Sequence, residues 1–328
     1  MMRRALCLAS FLGAAVAAPL SADGHAETIT RLEAAWSGWV ADHGVTESAL
    51  AITYRGDVVA EFGHGLDPAQ PVEMASLGKF ITAVCIAALE REGAFRFDQP
   101  VSELLPDYGE TSSDITIAAL LTHTSGLAPD ETQGRMADWL DDPAPRHADV
   151  TRQALSRSQQ EGTVGRYLYN NENYAILGEV VAQVTGQMYR EACAERVLPP
   201  SEYPSAGVSP RAGAFDAWGG WQMSVTDYAR LHMAELSAET DLGGQPDSYP
   251  ASELGGGAFY GMGTVWRAFN DSHNYWHFGA LCFDAYETGS YAVFWEGHWG
   301  AVAYWNTCVS FESMFALDHA LSSAAYGR

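Results

Sequence analysis

Ser76 and Lys79 stand three positions apart within residues 74–80 (MASLGKF), at the head of an apolar run that predicts a helix through about Arg91. On a helix, residues i and i+3 share a face, so the Lys79 amine can reach the Ser76 hydroxyl. A buried lysine can lose its proton and act as a base, which is what a serine nucleophile requires. The pair therefore predicts a nucleophilic serine activated by a neighbouring amine.

The composition strengthens this interpretation of Lys79. The chain has 18 basic residues, and Lys79 is the only lysine among them. Arginine stays protonated in proteins, so a lone lysine beside a serine suggests a chemical role. The alternative is an exposed helix lysine that follows a capping serine.

Charge and composition limit the partners. The net charge of −23 opposes binding to nucleic acid or to an anionic membrane, because both require a basic surface. The 328 residues are 47% hydrophobic and 12% aromatic, which is typical of a globular protein. We expect a small-molecule or cell-wall peptide substrate and make no prediction of oligomeric state.

Residues 1–26 predict a secretory signal peptide, with Arg3 and Arg4 before an apolar stretch from Ala5 to Ala18. The protein is therefore expected to be periplasmic or secreted, without membrane insertion in its mature form. An oxidising compartment permits disulfides. We interpret Cys85 and Cys193 as packed thiols on apolar helix faces and leave a Cys282–Cys308 bridge open.

The hydrophobic pattern predicts strands near both ends of the chain and helices between them. The predicted strands are Ala49–Tyr54, Val58–Phe62, Tyr260–Ala268, Tyr275–Phe283, Ser290–Trp295 and Ala301–Trp305. The predicted helices are Ile29–Ala41, Ser76–Arg91, Asn173–Thr185, Met188–Val197, Val225–Leu236 and one from about Phe311.

These elements predict an α+β fold, in which both chain ends build one antiparallel sheet that is flanked by the terminal helices. Residues 27–97 and 225–328 would form this α/β part. Residues 98–224 would form an inserted, mostly helical part without strands. A cleft between the two parts is the expected place for a site.

Three motifs give the chain a resemblance to a known superfamily. They are Ser76-x-x-Lys79, Tyr169-x-Asn171 and His277-Phe278-Gly279. In this order they resemble the serine β-lactamase and penicillin-binding-protein superfamily, in the branch of class C β-lactamases, D-alanyl-D-alanine peptidases and related esterases. Residues 97–101, 120–127 and 219–224 resemble it too.

The resemblance implies an acyl-enzyme on Ser76, and each motif has a physical reason to take part. The amides of Ser76 and Ala280 are expected to hold the oxyanion, and Gly279 would let the substrate approach the strand. Asn171 would position Lys79.

Tyr169 would relay a proton, with a pKa lowered by a nearby cation, and His277, at the start of an edge-like strand, would titrate near neutrality. His298-Trp299-Gly300 is a second match to His-x-Gly, although we prefer His277. His123 would stabilise a loop.

Departures from the family pattern bear on the substrate. Phe278 stands where relatives usually place threonine or serine, whose hydroxyl helps to hold a substrate carboxylate. Arg267 and Arg166 are the nearest candidates to replace that anchor. Six aromatic residues are candidates for the wall of an acyl pocket, and we expect at least half of them to pack in the core instead: Trp218, Trp221, Tyr260, Trp266, Tyr275 and Trp276.

We therefore predict an exported serine hydrolase without metal or organic cofactor. His273 and His277 are four residues apart but lack further metal ligands. The activity that we rank first is esterase-like, on an uncharged ester or amide. The alternatives are a β-lactamase or D-alanyl-D-alanine carboxypeptidase, and a penicillin-binding sensor or cell-wall peptide-binding protein that does not turn over.

Overall fold

The computed structural model describes residues 22–108, 114–284, 286–295 and 298–327. The predicted signal peptide therefore lies almost entirely outside the described residues, which begin with the first helix at Ala22.

Of the described elements, most strands lie near the two ends of the chain and most helices lie between them. The helices are α1 (Ala22–Asp42), α2 (Gly78–Arg91), α3 (Ile117–Leu121), α4 (His147–Leu155), α5 (Asn171–Thr185), α6 (Tyr189–Val197), α7 (Val225–Leu236), α8 (Asp241–Gly244) and α9 (Phe311–Tyr326). The strands are β1 (Ser48–Tyr54), β2 (Asp57–His64), β3 (Val72–Glu73), β4 (Gly207–Val208), β5 (Trp221–Met223), β6 (Ser252–Gly255), β7 (Ala258–Gly261), β8 (Thr264–Phe269), β9 (Ser272–Phe283), β10 (Tyr286–Phe294) and β11 (Trp299–Trp305).

An eight-stranded antiparallel sheet forms the centre of the molecule, in the order β2-β1-β11-β10-β9-β8-β7-β6. The N-terminal hairpin β1–β2 pairs with β11, the last strand in the sequence. Both chain ends therefore build one sheet, and the predicted α+β fold is confirmed.

The two faces of the sheet bury different side chains. On one face, α1 and α9 cover a core that includes Leu32, Trp36 and Leu317. On the other face, α2 and α7 join the helical part of the chain in a larger core. Because side chains alternate along a strand, β9 sends Trp276, Phe278 and Ala280 toward α9 and Tyr275 toward the larger core.

Two sequence-based expectations about strands are wrong. The helical segment contains β4 and β5, which form a small second sheet with β3. The strand expected over Tyr260–Ala268 is divided, because Met262 and Gly263 take φ values of 52° and 75° and turn the chain between β7 and β8. A Cβ on Gly263 would lie 2.6 Å from the Lys79 carbonyl carbon, so this turn packs closely against the start of α2.

The interpretation of Cys85 and Cys193 as packed thiols is wrong. They form a disulfide that joins α2 to α6, across a sequence separation of 108 residues. A second disulfide joins Cys282 and Cys308, which settles the pairing that the sequence left open. Within the described ranges, the helices include none that combines the length and apolarity of a membrane span.

Candidate active site

Ser76 lies in a tight 3₁₀ turn, Ala75–Leu77, that leads directly into α2. The α-helix itself begins at Gly78, two residues later than the sequence predicted, and a 3₁₀ turn also brings residues i and i+3 to one side. Ala75 takes a left-handed φ of 47°, which is unfavourable for a residue other than glycine. Such a conformation persists only where surrounding contacts hold it.

Contacts from both sheets and from α7 hold this turn in place. The Met74 carbonyl accepts a hydrogen bond from the Leu77 amide at 3.0 Å and from the Ser290 hydroxyl of β10 at 2.7 Å. The Met74 amide donates to the Trp221 carbonyl of β5 at 2.9 Å. The Tyr228 hydroxyl of α7 donates to the Leu77 carbonyl at 3.0 Å. The chain around Ser76 is therefore fixed by three separate elements.

Lys79, one turn further along, directs its side chain back at Ser76. The side chain is fully buried. Its Nζ lies 3.1 Å from Ser76 Oγ, 2.8 Å from Asn171 Oδ1 and 2.7 Å from the Trp218 carbonyl oxygen. The contact that the spacing of Ser76 and Lys79 predicted is present.

The surroundings of Lys79 fit both of its protonation states. Burial lowers the pKa of Lys79 to about 7, and the Asp130 carboxylate opposes part of that change. An ammonium can donate to all three neighbouring oxygens. A neutral amine can donate to Asn171 and to the Trp218 carbonyl while its lone pair faces the Ser76 hydroxyl. Lys79 can therefore take up a proton from Ser76 and return it without rearrangement.

Asn171 is the first residue of α5 and orients the amine. Its Oδ1 accepts from Lys79, and its Nδ2 donates to Thr132 Oγ1 at 3.1 Å. Its backbone amide donates to Asp130 Oδ2 at 3.0 Å. Asp130 could not be recognised from the sequence, because a lone acidic residue in a loop carries no spacing signal. Its carboxylate fixes the start of α5 and provides the negative charge that raises the pKa of Lys79.

Tyr169 places its ring centroid 5.0 Å from Lys79 Nζ. Its hydroxyl is buried. The neighbouring Ser76 hydroxyl lowers the pKa of Tyr169, but less than burial raises it. Burial dominates and raises the pKa of Tyr169 far above its usual value. The expectation that a nearby cation lowers this pKa is wrong, because burial also favours the neutral form of Lys79. Tyr169 is a neutral phenol at this site.

His277 lies within β9, its ring centroid 6.2 Å from that of Tyr169. Burial, followed by the charge of Lys79, lowers the pKa of His277 to about 3. The expectation that it titrates near neutrality is therefore wrong. β9 lies between β8 and β10, but its pairing with β8 ends at Trp276. Among the described residues, β9 therefore has an unpaired side from His277 onward, where the expectation of an edge-like strand holds.

His123 supports the loop that carries Tyr169. Its Nδ1 lies 3.3 Å from the Asn170 amide and 2.9 Å from Asn173 Nδ2, and both of these groups donate. Its ring centroid is 4.4 Å from that of Tyr169, and its carbonyl accepts from the Leu168 amide at 2.8 Å. These contacts give His123 the loop-stabilising position that the sequence suggested.

Gly279 lets the Ser76 turn approach β9. A Cβ at this position would lie 2.9 Å from the Ser76 amide nitrogen and 2.7 Å from the Met74 carbonyl oxygen. The expected role was to admit the substrate to the strand, whereas the close neighbour in the structure is the backbone of the nucleophile. Any larger residue would displace that backbone or the strand.

Replacing Gly279 with alanine is therefore expected to slow the reaction of Ser76 with a fluorophosphonate probe by about 10²-fold, because small displacements of reacting groups carry such losses. Gly219→Ala is the matched control. A Cβ on Gly219 would meet the same turn at 3.7 Å from the Ala75 backbone, which is an ordinary contact. Equal probe reactivity in the two folded variants would contradict the close approach described here.

A cavity of about 560 Å³ opens beside the nucleophile. Ser76, Tyr169, His277, Gly279 and Ala280 all line it, and Lys79 and Asn171 lie behind Ser76. The predicted site residues are thus together at one place. Assignment of the oxyanion hole to the Ser76 and Ala280 amides stays a prediction.

The aromatic residues that were considered for the cavity wall divide into two groups. Tyr260 and Trp276 line the cavity. The other four are buried elsewhere: Trp218, Trp221, Trp266 and Tyr275. The expectation that at least half of this set packs in the core agrees with these positions.

The two arginine candidates for a carboxylate anchor are not in the cavity wall. The Arg267 guanidinium lies over the Trp276 ring, 5.6 Å from its centroid, and Arg166 donates to the Gly162 carbonyl at 3.5 Å. His298, the alternative histidine, lines a different pocket together with Arg55. The preference for His277 over His298 is supported by this geometry.

Within the ranges that the structure covers, no group of three or more histidine, cysteine, aspartate or glutamate side chains is placed to hold a metal ion. What the cavity brings together is a serine, a buried amine, a phenol and a neutral imidazole, on an α+β scaffold. This arrangement is typical of a serine hydrolase.

Comparison with known proteins gives the family. Residues 27–324 match the family model described as Beta-lactamase, and the chain belongs to that family of serine hydrolases. It is 32% identical over 173 residues to Penicillin-binding protein 4 of Amycolatopsis lactamdurans, a match that covers 48% of this chain and 44% of that protein. The matched region thus spans less than half of this relative.

Solved structures share the fold at low sequence identity. A D-stereospecific amidohydrolase from Streptomyces sp. is similar with a TM-score of 0.72 and 18% identity, over 92% of this chain and 98% of the other. A class C beta lactamase from Rhodobacter sphaeroides is similar with a TM-score of 0.71 and 17% identity, over 90% and 99% of the two chains. At such low sequence identities, the similarity supports the assignment of the fold but does not indicate the substrate.

Proposed function

We propose that this protein hydrolyses an uncharged ester or amide through a covalent acyl-enzyme on Ser76. Of the activities considered, we rank that of an esterase first. The observation that supports this most is the 3.1 Å contact between Ser76 Oγ and Lys79 Nζ, at a lysine whose pKa burial lowers to about 7. Near neutral pH a large fraction of Lys79 is then unprotonated and able to accept the serine proton.

Acylation begins when Ser76 Oγ attacks the substrate carbonyl carbon and its proton passes to Lys79 Nζ. The new C–O bond pushes an electron pair onto the carbonyl oxygen, which the amides of Ser76 and Ala280 would stabilise. When this intermediate collapses, the bond to the leaving oxygen or nitrogen breaks. The leaving atom takes one proton from the Tyr169 phenol, which receives one from Lys79 and stays neutral.

Deacylation repeats these transfers with water. A water molecule attacks the acyl carbon, and its proton passes through Tyr169 to Lys79. The bond to Ser76 Oγ then breaks, and the serine regains its proton. The raised pKa of Tyr169 fits this role, since the phenol only relays a proton and is never a stable anion.

The cavity favours an uncharged substrate. The described residues of its wall include no aspartate, glutamate, lysine or arginine, and the neutral form of His277 predominates near pH 7. A substrate carboxylate would lose hydration here without an ionic partner. For that reason we rank β-lactamase and D-alanyl-D-alanine carboxypeptidase activities, and a penicillin-binding role without turnover, below the esterase.

Rates on three substrates would test this ranking: p-nitrophenyl butyrate, a chromogenic cephalosporin and a D-alanyl-D-alanine peptide. We expect the highest kcat/KM on the butyrate. A higher value on the cephalosporin or the peptide would reverse the ranking. A stable penicilloyl adduct in intact mass, without hydrolysis of any ester, would favour a penicillin-binding protein instead.

We also propose that the protein acts outside the cytoplasm, in the periplasm or the medium. The two disulfides support this proposal, because structural disulfides persist in oxidising compartments. N-terminal sequencing of protein recovered from the periplasm or medium of cells that express the full chain would test it. Recovery in the cytoplasm with an intact N-terminus would contradict it.

A further inference from the structure

The cavity beside Ser76 continues along the unpaired side of β9 to the beginning of the C-terminal helix α9. Phe278 of β9 and Phe311, Met314 and Phe315 of α9 line this far end. The ring centroid of Phe278 lies 6.1 Å from that of Phe311 and 5.5 Å from that of Phe315, and the centroids of Phe311 and Phe315 are 5.0 Å apart. We call Phe278, Phe311 and Phe315 the aromatic wall.

Within the aromatic wall, Phe278 is held by packing, whereas Phe311 and Phe315 are largely exposed. Phe278 stacks on Tyr291 of β10, with 4.5 Å between the ring centroids. Phe311 and Phe315 are 64% and 49% exposed, although they lie next to each other on α9. Single exposed apolar side chains are ordinary, whereas a contiguous exposed apolar surface that opens into a cavity is typical of a binding site.

The apolar character of the aromatic wall favours an apolar ligand. The neighbouring lining residues Leu254, Val265 and Trp276 extend the apolar surface. A ring or alkyl chain would lose contact with water along this surface and gain contact with fixed aromatic faces. A polar or charged group would lose hydration there, and the described lining residues offer no side chain of opposite charge in return.

We propose that the aromatic wall binds an apolar ring or alkyl chain that the substrate carries on one side of its scissile bond. The wall thereby gives the protein a preference for large apolar esters over acetates. This inference rests on the function proposed above, for which it names the substrate class and the residues that select it.

The size of the preference follows from apolar burial. Each methylene group removed from water contributes enough free energy for about a fourfold gain in kcat/KM, until the chain extends beyond the wall. From a two-carbon to a six-carbon chain, the wild-type protein should therefore gain about 10²-fold.

The experiment uses two series of esters. In one series the acyl chain lengthens from acetate to octanoate on a p-nitrophenyl group. In the other series the alcohol lengthens on a constant acetyl group. The dependence on chain length in each series shows which side of the scissile bond contacts the wall.

Both series are measured on the wild type and on the Phe311→Ala/Phe315→Ala double variant. Phe269→Ala is the matched control, because Phe269 is also a partly exposed phenylalanine, 40% accessible, but does not line the cavity. The double variant is expected to lose tenfold or more on the longest ester of one series, with a much smaller loss on the acetate. The control should keep the wild-type dependence on chain length. Equal loss on short and long esters, or an unchanged dependence in the double variant, would overturn the proposal.

A second measurement separates this inference from the proposed hydrolysis. The rate at which ethyl and octyl fluorophosphonates modify Ser76 is followed by intact mass in the same variants. If the octyl probe reacts faster and the double variant loses that preference, the aromatic wall is supported even when no ester is turned over. If both probes react equally fast with the wild type, the aromatic wall is refuted and the nucleophile stands. If neither probe reacts, the proposed function fails, and the inference that rests on it fails with it. Thermal unfolding of each variant checks that the fold is intact.

Discussion

Ser76→Ala is expected to lower kcat/KM on p-nitrophenyl butyrate by about 10⁴-fold or more, because removing the nucleophile ends the covalent route. The same substitution should abolish modification by fluorophosphonate probes. The fold should survive, since Lys79 Nζ keeps its bonds to Asn171 and to the Trp218 carbonyl. Steady-state kinetics, with thermal unfolding alongside, measures the effect.

A second serine variant serves as the control for Ser76→Ala. Ser156 is exposed at the end of α4, where its hydroxyl donates to the Gln153 carbonyl at 2.8 Å. Ser156→Ala should retain wild-type kinetics and labelling. If Ser76→Ala kept more than a few per cent of wild-type activity in a preparation free of other esterases, Ser76 would not be the nucleophile.

Lys79→Arg is the second substitution with a large expected effect. Arginine keeps a positive charge but cannot accept the serine proton, so we expect kcat/KM to fall by about 10³-fold, within the range for loss of a general base. Because the site is fully buried, the larger guanidinium could disturb packing, and Lys79→Met provides a second variant without charge. Both variants should show the same loss. Activity near the wild-type level in either folded variant would show that Lys79 is not the base.

The pH dependence of the wild type gives a further measurement of the same base. With the pKa of Lys79 lowered to about 7, the neutral form increases as pH rises through 7. We therefore expect log kcat/KM to rise with pH and to level off above about pH 8. Burial lowers the pKa of His277 to about 3 and that of His123 well below its usual value, so neither histidine should titrate in this range. In Lys79→Met, the residual rate should lack the inflection near pH 7.

The site could be predicted from the sequence where its chemistry depends on local spacing. Ser76 and Lys79 lie on one side of a turn and helix, and Asn171 belongs to a short motif with Tyr169 at the start of α5. These positions could therefore be identified from short motifs. Most strands near the C-terminus also followed from their sequence pattern, whereas β6 and the turn at Met262 and Gly263 did not.

Properties that arise from packing could not be predicted in this way. The pKa values of Tyr169 and His277 depend on burial by residues far away in the sequence, and the expectation for each had the wrong direction or range. The Cys85–Cys193 bridge depends on how α2 and α6 meet, across 108 residues. Phe311 looked like an ordinary first residue of a helix, and only the fold brings it to the cavity that contains Ser76.

Mass spectrometry of the wild-type protein after reaction with a fluorophosphonate ester shows whether the Ser76 hydroxyl is the nucleophile. We expect one adduct per chain, located on the peptide that contains Ser76, together with complete loss of ester hydrolysis. An adduct on another residue, or hydrolysis that continues after Ser76 is fully modified, would contradict it.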